Sequence, residues 1–331
     1  MNSTPSGRRK AVFLTAAVIL TVGGVVGVFG SSVGYTDALF EPDYTIFYAP
    51  PEGPLAEAGF QSGDSVISVE GIPVVELGMY SRWPKSLSRA PGESLTMVVE
   101  REGQMVTGEI VYRDPPPSSW KMQFGALLVF LSFLWAGVWA VLTIPSAHAA
   151  RLAALGLAAG LAVPTPYMGS WNGLSEHVHM AAMVLWTLLL LRFFLFFPKP
   201  KRLAQAHLST LLVYAPWVIL LGCLGAELIY HPRFYHTFGG YTGLLMFVYL
   251  VLAVAALVHS WVKTPGGELW ASGLSSVLFG MGIGVGGVIL WAVDSLVLQA
   301  FDIPGSNWAP VLFGVIPIGM ALGVRKATSR E

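Results

Sequence analysis

The sequence is poor in cysteine and in catalytic motifs. Cys223, inside an apolar run, is the single cysteine of 331 residues, which excludes an internal disulfide, a CxxC redox pair and a cysteine zinc cluster. The chain also lacks a His-Glu-x-x-His zinc motif and a Walker A lysine loop. The nearest histidine pair, His177 and His179, would point to different faces of a helix. These absences predict a non-enzymatic protein with no metal and no cofactor.

Charged residues are scarce as well. Only 11% of the residues are charged and 54% are hydrophobic, which is too apolar for a soluble globular protein of this length. Residues 35–115 hold 13 of the 19 acidic residues and five of the 19 basic ones, so this segment has a net charge of −8 and the remainder +8. The remaining basic residues flank apolar runs, as they do in membrane loops. The pattern predicts contact with membrane lipid and no nucleic-acid partner.

Long apolar runs indicate the architecture. Lipid offers no water to backbone groups, so runs long enough to cross a hydrocarbon core of about 30 Å must be helices. The sequence predicts a multi-span α-helical membrane protein with about eight transmembrane helices and a small, mainly β, α/β domain inserted after the first. The predicted spans are 11–30, 122–143, 150–168, 178–197, 208–229, 240–262, 271–298 and 308–324.

Basic residues in the short loops predict the orientation. Arg8, Lys199, Arg202, Lys263 and Arg325 belong to loops or tails on one side, which the positive-inside rule assigns to the cytoplasm. Residues 35–118 then lie outside. The predicted parts are a cytoplasmic tail (1–10), an anchor (11–31), the extracytoplasmic domain (35–115), a linker (116–121), a seven-helix bundle (122–324) and a second tail (325–331). A cleaved signal peptide is the alternative for the first span.

The extracytoplasmic segment has a readable local pattern in residues 53–74. A short helix over 54–58 should end at Gly59 with positive φ, and Gly63-Asp64 is typical of a turn. A strand should follow over 65–69 and reach a tight turn at Glu70-Gly71. The sequence also predicts a second helix over about 76–89 and a hairpin that joins 95–99 to 106–112.

This segment resembles a bacterial-type PDZ domain, as found in envelope proteases and site-2 proteases. The residues that carry the resemblance are Ala58-Gly59-Phe60, Gly63-Asp64, Val66-Ile67, Val69, Gly71, Val74 and Pro91-Gly92-Glu93. The resemblance implies that an extended peptide adds to a sheet edge. The implied groove consists of Tyr44, Ile46 and Phe47 on a strand and Met79, Trp83 and Leu87 on a facing helix. The acidic loop 37–43 favours an internal or cationic ligand over a free carboxylate, with a structural spacer as the alternative.

A second motif ends the predicted span 178–197. Phe193, Leu195, Phe197 and Pro198 match an aromatic-x-Leu-x-Phe-Pro signature, and the region is similar to the membrane part of sensor histidine kinases such as the competence-pheromone receptors. The order of parts is also similar, which implies a bacterial plasma membrane protein. The cytoplasmic segments are too short for a kinase domain, so a signal would pass to another polypeptide.

Polar residues and glycines inside the spans have simpler interpretations. Arg192, Glu227, His259 and Asp294 lie near predicted interfaces, where snorkelling or local pairing explains them. The glycine pairs 280/284 and 282/286 have the spacing of surfaces on which helices approach closely.

Three functional hypotheses follow. The first is a non-enzymatic sensor, in which the outer domain recognises a peptide or protein and the bundle relays the event to a separate partner. The second is a scaffold that docks an envelope protease or another enzyme, and the third is a small-molecule or lipid transporter. The sequence names neither the ligand nor the partner.

Overall fold

The computed structural model describes residues 7–29, 39–40, 44–49, 51–77, 89–114, 117–162, 174–205, 207–230, 235–296 and 311–329. Most of these residues are helical, and a small antiparallel sheet domain occupies the described part of 39–114. The elements of the sheet domain are β1 (Leu39–Phe40), β2 (Ile46–Tyr48), α2 (Pro54–Glu57), β3 (Ser65–Val69), β4 (Ile72–Pro73), α3 (Val74–Leu77), β5 (Ser94–Arg101) and β6 (Gln104–Val111).

The remaining elements are helices. They are α1 (Gly7–Phe29), α4 (Pro117–Thr143), α5 (Ala147–Ala162), α6 (Leu174–Phe196), α7 (Arg202–Gln205), α8 (His207–Tyr230), α9 (Tyr235–Lys263), α10 (Gly266–Leu269), α11 (Leu274–Leu296) and α12 (Val315–Thr328). A helix therefore lies at each of the eight predicted spans. Parts of four predicted spans lie outside the described residues, namely 30, 163–168, 297–298 and 308–310.

Among the residues that the structure describes, four helices are long and apolar enough to cross a membrane. These segments are Phe124–Thr143, Val178–Phe196, Tyr241–Lys263 and Val311–Thr328. The apolar parts of α1, α5, α8 and α11 are shorter in the described residues. The helices fit a membrane protein. The number of eight spans and the side on which the sheet domain lies stay predictions.

The sheet domain is built from tight antiparallel pairings. Its main sheet has the strand order β4-β3-β5-β6, and β1 pairs with β2 in a separate ladder. Two-residue turns join β3 to β4 at Glu70-Gly71 and β5 to β6 at Glu102-Gly103, with φ between 52° and 77° at all four residues. Turns with two positive φ values match the natural twist of hairpin strands. The predicted strand 65–69 and the predicted hairpin both form.

Alternating side chains of these strands build the core of the sheet domain. Leu95, Met97 and Val99 of β5 point inward and are at most 1% exposed. Burying each such side chain stabilises a fold by about 1.5–3 kcal/mol. Gly108 of β6 lets the chain after α2 approach the sheet, because a Cβ there would overlap the Ala58 carbonyl oxygen. The other core residues are Ile46, Leu55, Phe60, Val66, Val69, Val74, Ile110 and Tyr112.

The helix bundle closes at glycines. A Cβ on Gly137 of α4 would lie 2.7 Å from the Leu152 carbonyl oxygen of α5, and one on Gly319 of α12 would lie 2.5 Å from the Ser276 carbonyl oxygen of α11. Gly280 and Gly284 of α11 face α12, as the 280/284 spacing predicts. Gly282 and Gly286 differ, because a Cβ at either position would meet no described atom within 4 Å.

Candidate functional site

The predicted peptide groove is only partly within the described residues. Met79, Trp83 and Leu87 lie outside them. Tyr44 is half-buried against the core of the sheet domain, with φ of 69°. Phe47 lies within β2. Ile46 has no exposed surface, so its side chain belongs to the core and cannot line a groove.

Both edges of β2 carry hydrogen bonds. On one side, Leu39 and Phe40 of β1 pair with Tyr48 and Ile46. On the other, the Ile46 amide donates to the Asp64 carbonyl oxygen at 2.8 Å, and the Gly63 amide donates to the Ile46 carbonyl oxygen at 2.8 Å. A peptide could add to β2 over these residues only by displacing β1. The strand implied as the docking edge is therefore already paired.

The edge that is open in the described residues belongs to β6. This eight-residue strand pairs with β5 on one side, and no described strand pairs with its other side. The two-residue turn makes Arg101–Gln104 a hydrogen-bonded pair, and such pairs alternate along a hairpin. Met105, Thr107 and Glu109 therefore direct their amide and carbonyl groups away from β5, and all three side chains are exposed. An unpaired edge of this kind is a template for another strand.

Asp64, from the predicted Gly63-Asp64 turn, holds the sheet domain together. Its carboxylate accepts a hydrogen bond from the Gln61 amide at 2.8 Å and two from the Arg101 guanidinium at 2.7 Å each. Burial by itself raises the pKa of Asp64, but the hydrogen bonds from Arg101 and Gln61 and the charge of Arg101 together lower it. Arg101 also donates to the Gly59 carbonyl oxygen at 2.8 Å. The ion pair thus ties β3, β5 and the end of α2.

Three motif glycines have backbone roles. Gly59 ends the turn after α2 with φ of 87°, Gly63 precedes Asp64 with φ of 93°, and Gly71 closes the β3–β4 turn with φ of 76°. Other residues rarely adopt such angles.

The charge of the sheet domain lies on its surface. Asp64 is 2% exposed, whereas the other described carboxylates of the sheet domain are exposed. The outer surface of this domain is therefore strongly acidic and suits a cationic ligand.

The Phe-rich motif at the end of α6 closes that helix. Phe193 and Phe197 stack with ring centres 5.2 Å apart, and both are at most 1% exposed. Leu195 packs against the same core. Pro198 follows the helix and lines a cavity of about 210 Å³ with residues of α9 and the following segment. All four motif residues therefore lie where α6 ends, and each of them makes packing contacts there.

Lys201 also binds at the end of α6. Its amide donates to the Leu195 carbonyl oxygen at 3.0 Å, and its ammonium donates to the Phe194 carbonyl oxygen and, at 2.7 Å, to Ser260 Oγ. The last carbonyls of a helix have no partner within it, and Lys201 satisfies two of those of α6. Burial lowers the pKa of Lys201 to about 8. The sequence offers no local signal for the contact with Ser260, which lies 59 residues away.

The described residues do not fit a metal centre. In the part of the chain that the structure describes, no three His, Cys, Asp or Glu side chains come together as metal ligands would. No chemical step through zinc follows from these residues.

Two curated proteins are similar to part of this chain. Both are named "putative zinc metalloprotease", one from Brucella suis biovar 1 and one from Brucella melitensis biotype 1. Each is 34% identical over 126 residues, which are 36% of this chain and 31% of the relative. The chain thus spans about a third of the length of these relatives. No family model matches the chain. No solved structure matches it.

These relatives correct the prediction of a non-enzymatic protein. That prediction rested on missing motifs, and it is wrong because the relatives are named as members of an enzyme class. The comparisons give no support to the sensor hypothesis. They agree better with the second hypothesis, a role connected with a membrane protease.

Proposed function

We propose that the chain takes part in proteolysis at a membrane, and that its sheet domain binds an extended segment of a polypeptide. The similarity to the two proteins named as zinc metalloproteases carries the proposal. The resemblance of the same domain to PDZ domains of envelope proteases agrees with it. The helix bundle holds the domain at the membrane surface, on the extracytoplasmic side.

The proposed docking edge is β6. Its outward amide and carbonyl groups at Met105, Thr107 and Glu109 suit the main-chain hydrogen bonds of an added strand. The exposed Met105 side chain offers an apolar contact, with 64% of its surface accessible. The acidic surface favours a segment that carries Lys or Arg. The polypeptide is therefore an extended, basic stretch.

The test compares cleavage fragments of membrane proteins in cells with the wild-type chain, without the chain, and with Thr107→Pro. Proline removes the outward amide of Thr107 without removing a bond to β5, because edge strands tolerate proline there. The matched control is Thr107→Ala. We expect a set of fragments to disappear without the chain, to fall several-fold with Thr107→Pro and to persist with Thr107→Ala.

Two outcomes would contradict different parts of the proposal. Fragments that are unchanged in cells without the chain would contradict a role in proteolysis. Fragments that need the chain but ignore Thr107→Pro would contradict β6 as the docking edge. In that case Trp83→Ala tests the groove that the PDZ resemblance implies.

A further inference from the structure

Two arginines meet at one aromatic ring in the bundle. The guanidinium carbon of Arg151, on α5, lies 4.1 Å from the centre of the Phe196 ring. That of Arg192, on α6, lies 6.0 Å from the same ring centre and 5.0 Å from that of Tyr214 on α8. Arg192 Nη1 also donates a hydrogen bond to Tyr214 Oη. We call Arg151 and Arg192 the arginine pair.

The arginine pair has no acidic partner among the residues that the structure describes. Arg151 also contacts His148 Nδ1, at 3.3 Å. By contrast, Arg101 and Arg113 of the sheet domain form ion pairs with Asp64 and Glu57. Two half-buried cations beside one ring repel each other and have lost part of their hydration. Cation–π contacts offset only part of that cost, so an anion between or beside them would be strongly favoured.

The depth of the arginine pair indicates which anion is available. Arg192 lies four residues before Phe196, where the apolar segment Val178–Phe196 ends. At a rise of 1.5 Å per residue this is about 6 Å, a depth from which an arginine reaches headgroups by snorkelling. Arg151 lies near the start of α5, just after the apolar segment Phe124–Thr143 ends. Both side chains therefore reach the boundary where lipid phosphates are concentrated.

We propose that Arg151, Arg192 and Tyr214 bind the phosphate of an anionic phospholipid at this boundary. The guanidinium fork matches phosphate oxygens with two parallel N–H donors. Tyr214 Oη accepts from Arg192, and its own proton can donate to a phosphate oxygen. Basic sites between membrane helices are typical binding sites for such headgroups. This site is independent of the proposed role of the sheet domain.

The experiment measures lipid binding by the full-length protein in detergent after its native lipids are removed. Native mass spectrometry counts bound phosphatidylglycerol, with phosphatidylcholine as the zwitterionic comparison. We expect wild-type protein to retain phosphatidylglycerol selectively, and Arg192→Gln or Arg151→Gln to weaken that binding about tenfold. Arg202→Gln, which changes an exposed arginine of the same region, should leave it unchanged. Arg192→Lys keeps the charge but loses the fork, so we expect a smaller, several-fold loss even if the Gln variants fold poorly.

Several results would overturn the assignment. Equal binding by wild-type, Arg151→Gln and Arg192→Gln protein would show that the arginine pair is not the site. An equal loss in Arg202→Gln would indicate general surface charge. Inorganic phosphate that binds as tightly as the lipid would replace a lipid site with a free-phosphate site. Lipid binding that is unchanged while a protein partner is lost from Arg192→Gln would instead indicate a carboxylate of that partner.

Discussion

The sheet domain and the helix bundle are held together in different ways. In the sheet domain, apolar side chains of neighbouring strands interlock, and the buried carboxylate Asp64 meets Arg101 inside the same domain. In the bundle, helix backbones approach each other at glycines such as Gly137 and Gly319. Among the described residues, no carboxylate forms an ion pair with the arginine pair. The comparison teaches that the sheet domain neutralises its buried carboxylate internally, whereas we propose that the arginine pair of the bundle takes its counter-charge from lipid.

We expect the largest effect from a substitution that breaks the close contact of Gly319 with α11. In Gly319→Val, the added side chain would meet the Ser276 carbonyl oxygen, which belongs to backbone and cannot move away easily. We expect the stability of the detergent-solubilised protein to fall by about 3 kcal/mol, measured from its denaturant midpoint. Gly282→Val is the matched control on the partner helix, because no described atom lies within 4 Å of a Cβ there. Equal losses in the two variants would contradict the glycine contact as the cause.

A smaller effect should follow from breaking the ion pair of the sheet domain. Asp64→Asn leaves the half-buried Arg101 without its charge partner, and we expect a loss of about 2 kcal/mol. Protease susceptibility of the sheet domain in the full-length protein provides the measurement. Glu57→Gln breaks the exposed pair with Arg113 and should cost less than about 0.5 kcal/mol. If both variants behave alike, the internal neutralisation of charge in this domain is not important for its stability.

The smallest expected effect is a dependence on acid. The pKa of Asp64 is lower in the folded than in the unfolded state, where it is about 3.9. The stabilisation is therefore complete above that value and is lost as pH falls through the folded-state pKa. As pH falls below about 4, the stability advantage of wild-type protein over Asp64→Asn should begin to decrease, by less than the substitution itself costs at neutral pH. Unfolding curves of the two proteins over this range measure the difference, and a constant difference down to pH 2 would refute the linkage.

Local features were predictable from the sequence because local chemistry determines them. Positive φ at Gly59, the tight turn at Glu70-Gly71 and the strand 65–69 all depend on residues within a few positions. Helices at the eight apolar runs follow from length and composition. Glycine spacing alone could not tell that Gly284 contacts α12 while Gly282 does not, since the rotation of α11 depends on its neighbours.

Long-range features of the candidate sites had no such signal. β1 pairs with β2, the strand that the PDZ resemblance implied as the docking edge. Both strands are too short to show a clear alternation of polar and apolar residues in the sequence. Arg151 contacts the Phe196 ring although the two residues are 45 positions apart in the sequence. The position of Arg192 in the sequence indicates only that its side chain could snorkel. The zinc motif is missing from this sequence, so the PDZ-like motif alone indicated a link with proteases, and it did not indicate an enzyme.

The short connection between β6 and α4 limits what the sheet domain can reach. Only residues 112–116 separate Val111 from Pro117, and a chain of that length spans at most about 20 Å when fully extended. Under the proposed function, with α4 as a membrane span, the domain would therefore stay close to the bilayer. A strand presented just beside its own membrane anchor would then meet β6 at a high effective concentration. Height above the membrane would thus be a criterion of selection, besides the sequence of the bound segment.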